Sequence, residues 1–220
     1  MAIAVRQVCF NAGTTGLTVT ATFGSATLAG SVIVVAANAN GLSTLVLSDS
    51  ASNAYTDSGL GLVTGSVSQY RIGAFLAPST GVTTVTATFT GGPSFTEVVA
   101  WEVTGMTGPS FDQKIHGSGS SASASSGATG TLASATEIGL AYILATAGVA
   151  NSGQGASWTD DSPSGGTSNG NDMQHIVVSS TAPITATETV GNATWDAILV
   201  TLQSGGAAAK GGTLPLMGVG

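Results

Sequence analysis

The sequence predicts an all-β protein, a jelly-roll-like antiparallel β-sandwich built from two similar halves, and three observations lead there. Apolar and hydroxyl residues alternate with period two in several short runs, as in a strand buried on one face. No window repeats apolar residues at three and four, and Gly and β-branched residues interrupt every stretch long enough for a helix. Turn residues, including 32 Gly among 220 residues, punctuate the chain at the spacing of a sandwich or jelly roll.

The plainest alternation is Leu17-Thr18-Val19-Thr20-Ala21-Thr22-Phe23, with four apolar side chains on one face and three Thr on the other. Thr is β-branched, suits a pleated surface and keeps its hydroxyl in water. The device recurs at Val85-Thr86-Ala87-Thr88-Phe89 and at Ile184-Thr185-Ala186-Thr187-Glu188. Each copy leads through a Gly-containing connection to a more continuously apolar run, Ser31 to Ala37, Phe95 to Val103 and Trp195 to Leu202. Each pair is expected to form a hairpin, with the apolar member covered on both faces and its Thr-rich partner on one.

Tyr55-Thr56-Asp57 and Trp158-Thr159-Asp160 echo one another ahead of Gly/Ser-rich loops, and Gln69 to Phe75 and Gln174 to Val178 each lead past a Pro, Pro78 or Pro183, into a Thr-alternating run. Two halves, about 17–104 and 129–203, are therefore expected, joined by 105–130, whose second part is almost purely Gly, Ser, Ala and Thr. Neither half would close its sheet edges and apolar face alone, so one domain over 1–204 with a shared core is expected. Residues 205–220 form a Gly/Ala-rich linker and an apolar tail.

Composition narrows the function. Charged residues make up 7% of the chain and hydrophobic ones 42%, with a net charge of −7. The four cations, Arg6, Arg71, Lys114 and Lys210, are scattered and cannot neutralise a row of phosphates, so no nucleic-acid partner is expected. Cys9 stands alone within an apolar run and is read as a small core residue. Met1 to Phe10 carries Arg6 and lacks the pattern of a signal peptide. The weakly polar stretch Ile138 to Ala150 falls short of the roughly 20 residues that span a bilayer. A soluble chain without an export signal and without a membrane partner is expected, as for a protein that assembles into virions in the cytoplasm.

Candidate chemistry is sparse. A glycosidase needs two facing carboxylates, but Glu97 and Glu102 are an odd number apart and point to opposite faces of one strand. Glu188 aligns with Phe23 and Phe89; a strand end turned to solvent is the simpler expectation, whereas a core-facing carboxyl there would have a raised pKa and could act as an acid. Asp49, Asp57, Asp160, Asp161 and Asp172 lie in turn-rich segments, and their side chains are expected to cap Asx-turns rather than hold Ca²⁺. His116 and His175 have no partners at zinc-ligand spacing. No metal and no cofactor are expected. Trp101 and Trp195 belong to apolar runs and should be core. Tyr55 and Trp158 precede loops and are the candidates for stacking on a glycan. Leu214, Pro215, Leu216, Met217 and Val219 form an apolar tail with nothing of its own to fold against, which a partner subunit would hold.

The order of segments from Ser31-Val32-Ile33-Val34-Val35 through Ser48 to Thr56, Gly81 to Phe89 and Val98 to Gly105 resembles a β-sandwich module found in phage virion structural proteins and bacterial surface proteins. It covers about 200 residues. The closing Gly211 to Gly220 resembles short C-terminal tails of phage virion proteins. The resemblance implies no catalytic residues. It implies a virion component, a capsid decoration (cement) or tail-associated protein that acts by contacts with other capsid or tail subunits and forms homo-oligomers, by analogy trimers. A carbohydrate-binding sandwich contacting a host-surface glycan is the alternative.

Overall fold

The structure is a computed structural model that describes residues 2–13, 16–39, 44–60, 63–64, 69–75, 81–91, 95–146, 153–162 and 171–205. Among them are fourteen strands and no helix. The first nine are β1 (Ala4–Gly13), β2 (Thr18–Thr22), β3 (Val32–Ala39), β4 (Leu45–Asp49), β5 (Thr56–Asp57), β6 (Val63–Thr64), β7 (Gln69–Phe75), β8 (Thr84–Phe89) and β9 (Thr96–Thr104). The remaining five are β10 (Ser110–Ser125), β11 (Glu137–Ala145), β12 (Thr159–Asp160), β13 (Asn171–Val177) and β14 (Thr187–Gln203). All pairings are antiparallel. The protein is thus an all-β sandwich.

Two large sheets share one strand order. The first runs β1-β9-β3-β7-β5, with β6 also on β7, and the second runs β10-β14-β11-β13-β12. The echo of Tyr55-Thr56-Asp57 in Trp158-Thr159-Asp160 corresponds to the two short edge strands β5 and β12. The segment expected to join the halves is instead largely β10, which holds in the second sheet the place of β1 in the first.

The layers follow from which residues face which. Val32, Val34, Ala36, Val99, Trp101 and Val103 of the first sheet pack with Ile138, Leu140, Tyr142, Ile198, Val200 and Leu202 of the second in one shared cluster. The alternate residues Ile33, Val35, Ala37, Val98 and Ala100 pack with Val19, Ala21, Phe23, Val85, Ala87 and Phe89 of a third sheet, β2-β8-β4. The first sheet is therefore covered on both sides, and β3 is buried along its whole length while β8 alternates. That difference is the one the apolar and Thr-alternating runs foretell.

The expected hairpins do not form. β2 and β8 pair with each other in the third sheet, whereas β3 and β9 lie in the first, so each Gly-containing connection is an arch from one layer to the next. The physical reason is coverage: a hairpin would keep both strands in one sheet, while the arch lays the half-buried strand's apolar face over its doubly covered neighbour. The third expected pair is a single bent strand, β14. Its register against β10 jumps from Ala193 opposite Ser121 to Thr189 opposite Ser123. The bend lies at Gly191 and Asn192, with φ of 54° and 53°, the left-handed pair of a tight turn that Gly and Asn tolerate. The ribbon of 123–126 and 186–190 thus folds back over the second sheet, burying Ala124, Ala186 and Val190.

Candidate functional site

The bent ribbon fixes where Glu188 sits. In the first half Thr27 N donates to Val82 O, and Thr27 Oγ1 accepts from Val82 N; in the second Thr129 N donates to Ile184 O, and Thr129 Oγ1 accepts from Ile184 N. One residue fewer separates this anchor from the buried run in the second half, so the buried positions 85, 87 and 89 match the buried 186, 188 and 190. Glu188 takes the place of Ala87, and Val190 that of Phe89, a shift of two residues from the alignment the sequence suggests. Glu188 is 1% exposed, not a strand end in solvent. Its partner across the ribbon is Ala124, as Val19 is for Ala87.

Around Glu188 the second half gathers acids. Glu188 Oε1 accepts from Gly153 N at 3.0 Å, and Oε2 has no protein partner. Asp172 is fully buried; its carboxylate accepts from Ser162 Oγ at 3.1 Å and from Gln174 Nε2 at 2.7 Å. Burial, then the neighbouring Asp172 charge, raises the Glu188 carboxyl to about 7. Burial raises Asp172 to about 6, against the pull of the Ser162 hydroxyl. No group of three or more His, Cys, Asp or Glu among the described residues is arranged to hold a metal ion. The arrangement can hold a proton in a water-poor layer.

A second polar cluster lies between the two large sheets. Glu97 of β9 is fully buried, and its Oε2 accepts from Asn38 Nδ2 of β3 at 3.0 Å and from Asn171 Nδ2 of β13. Asn38 also donates to the Tyr142 hydroxyl of β11, which lies against the same carboxyl. Burial raises Glu97 to about 7, although these donors oppose it. Nearby, Trp101 Nε1 donates to Asp161 Oδ2 at 2.8 Å, and Asp161 pairs with His175 Nδ1 at 2.8 Å. These bonds stitch the first sheet to the second.

Glu102 faces the opposite way from Glu97, as their odd spacing requires. It accepts from Arg6 Nη1 at 2.6 Å, Gln7 Nε2 at 2.6 Å and Leu28 N at 2.7 Å. Burial pushes its carboxyl up, but those bonds outweigh it and hold it below the ordinary value.

The aromatic candidates are not brought together. Tyr55 packs beside the third sheet and donates to Asp49 Oδ2 at 2.5 Å. Trp158 packs under the folded ribbon and donates from Nε1 to Thr185 O at 3.0 Å. Both are half-buried. Asp49, Asp57 and Asp160 cap turns, accepting from Ala51 N, Gly59 N and Ser162 N. Asp161 and Asp172 depart from that expectation and serve the cross-layer bonds above. Cys9 is buried, and burial lifts its thiol to about 12. His116 meets Asp196 at 3.3 Å, far from His175 in the chain. Trp101 and Trp195 are buried. Leu214, Pro215, Leu216, Met217 and Val219 lie outside the described residues.

The outer face of the third sheet carries a different chemistry. Cross-strand pairing sets Thr18, Thr88 and Val46 in one row and Thr20, Thr86 and Ser48 in the next. Thr22 and Thr84 begin a third row, which Ser50 continues through its N–H to Thr84 O. Thr20 and Thr86 share a hydroxyl hydrogen bond of 2.8 Å. Val46 is 62% exposed in this face. The grid is uncharged and presents hydroxyls and methyls together. No family model, no curated protein and no solved structure matches this chain.

Proposed function

We propose that this chain is a non-enzymatic structural protein of a phage virion, a capsid decoration or tail-associated subunit that works through contacts with other capsid or tail subunits. The observation that carries this reading is the contrast between inside and outside. The groups able to do chemistry, Glu97, Asp161, Asp172, His175 and Glu188, lie inside the layers, each bonded within or between them by at least one oxygen or nitrogen. The outer face of the third sheet offers an uncharged grid of Thr and Ser around the exposed Val46, which suits extended contact with another subunit at small desolvation cost. The chain leaves the described region at Gly205, tied to Gly108 O at 3.0 Å, beside a hollow lined by Ala2, Ile3 and Val177. The tail that continues from Gly205 is the proposed arm to a neighbouring subunit.

The test is incorporation into the assembled particle. Removal of 211–220, and separately Val46→Asp, should each leave the thermal midpoint unchanged and reduce incorporation at least tenfold. Normal incorporation of both proteins would end the proposal. Glycan-array binding lost on replacing Tyr55 or Trp158 would replace it with the carbohydrate-binding alternative.

A further inference from the structure

The cluster at Glu97 contains more acceptors than it can satisfy. Glu97 Oε1, Asn38 Oδ1 and Asn171 Oδ1 are buried without a protein partner, and all three are oxygens. The amide donors of both Asn side chains are already directed at Glu97 Oε2 and Tyr142, and the Tyr142 hydroxyl is directed at the same carboxyl, so none of these donors reaches the orphaned oxygens. Rotating either amide would supply a donor to one oxygen only by withdrawing it from Glu97. Ionised, the carboxylate would be a charge without a counter-charge: among the described side chains, Arg6 serves Glu102 and Lys114 bonds Ser58 O at 2.9 Å. A buried charge of that kind is costly, and so is each orphaned acceptor. A single proton relieves both: it removes the charge, and a carboxylic acid hydrogen on Oε1 turns one orphaned acceptor into a donor in a cluster with two further orphaned amide oxygens.

We propose that Glu97 is held as a carboxylic acid and works as a proton-operated clasp between the two large sheets, its hydrogen shared with Asn38 or Asn171. The chain then binds its two halves more firmly in acid than in mildly alkaline solution.

Among the described side chains, few titratable groups face this layer. From β11 comes Tyr142, and from β13 comes His175, which is occupied by Asp161 and through it by Trp101 on Glu97's own strand. β3 contributes the neutral Asn38. Burial, the largest influence on Glu97, places its carboxyl at about 7 in the folded chain against an ordinary 4.5. The folded value lies above the unfolded one, so the folded chain binds the proton more tightly. The clasp's contribution is complete below about 4.5 and is lost as pH rises through about 7. A gap of 7 − 4.5, about 2.5 units, corresponds to roughly 300-fold in the unfolding equilibrium constant.

Urea unfolding of the full chain at pH 4.5 to 8.5 tests this, comparing the native protein with Glu97→Gln, which keeps the shape and cannot ionise. Other acids add to the slope of both proteins, so the difference between them isolates Glu97. The expected result is that E97Q loses the roughly 300-fold component and is the more stable protein at pH 8. Equal slopes would overturn the proposal. Infrared titration of the Glu188→Gln protein, which removes the other glutamic acid raised to about 7, provides a second reading that leaves Glu97 untouched. A protonated glutamic acid carbonyl band that persists at pH 6 and fades towards pH 8 is expected, and its absence at pH 6 would equally overturn it.

Discussion

The two halves apply one topology to different interiors. In the first, the layer over the large sheet is greasy throughout: Val19, Ala21, Phe23, Val85, Ala87 and Phe89 close on Ile33, Val35 and Ala37. In the second, the folded ribbon sets Glu188 where Ala87 stands and Val190 where Phe89 stands, and the sheet beneath answers with Asp172 and Gln174. An identical strand order therefore does not require an identical filling. Backbone pairing and coverage determine the arch, and the residues beneath it are free to be apolar, where they add stability, or acidic, where stability becomes a function of pH.

The largest effect should come from breaking the greasy half. Phe89 is fully buried, and Phe89→Ala removes a ring from a layer closed on both sides, for an expected loss of about 3–5 kcal/mol in chemical denaturation. Its counterpart Val190→Ala should cost clearly less, because the side chain is smaller. A loss below about 1 kcal/mol for Phe89 would mean that the third sheet is not closely packed on the first.

Next comes the acid half. Glu188 has a folded value of about 7 against 4.5, so it stabilises the chain below about 4.5 and ceases to do so as pH rises past 7. Glu188→Gln keeps an acceptor for Gly153 N and removes the charge. At pH 8 it should gain about 1–3 kcal/mol, shrinking to nothing near pH 4.5. The same change at Ala87, Ala87→Gln, should destabilise at every pH, since the cluster it belongs to, with Val19, Val35, Val85 and Phe89, is apolar. A flat pH response for both proteins would remove the distinction between the halves.

Much of this architecture was legible in the chain. Alternation of Thr with Val, Ala and Phe separated singly covered from doubly covered strands because burial on one face requires a period of two, and the Tyr-Thr-Asp and Trp-Thr-Asp echoes marked equivalent edge strands. Pairing was not legible. Leu17 to Phe23 and Ser31 to Ala37 are close in sequence and joined by Gly, which fits an arch as well as a hairpin, and only the packing of three layers decides between them. β10 was hidden because Ser, Gly and Ala at an edge carry little apolar signal. Glu97, Asn38 and Asp196, polar residues inside otherwise apolar runs, were the visible trace of the interior clusters. The partners Asn171 and Asp161 come from turn-rich segments that periodicity does not register.

The smallest effects should separate the two aromatic candidates from the surface role their positions suggest. Tyr55→Phe deletes the hydroxyl that donates to Asp49, and Trp158→Phe deletes the indole N–H that donates to Thr185 O. Each loss should cost about 0.5–1.5 kcal/mol, the net worth of one hydrogen bond. The two differ in how that cost depends on pH. Burial pushes Asp49 up, but the bonds from Tyr55, Asn53 and Ala51 prevail and hold it below the ordinary carboxylate value. A depressed carboxylate stabilises above its unfolded value and loses that contribution as pH falls through the folded one. Tyr55→Phe should therefore cost most near neutrality and little in strong acid, while the Trp158→Phe cost, which involves a backbone carbonyl, should stay level with pH. Urea midpoints at pH 3 and pH 7 measure both. If neither substitution changed stability, both rings would be free for a ligand, and glycan binding would gain on subunit contact.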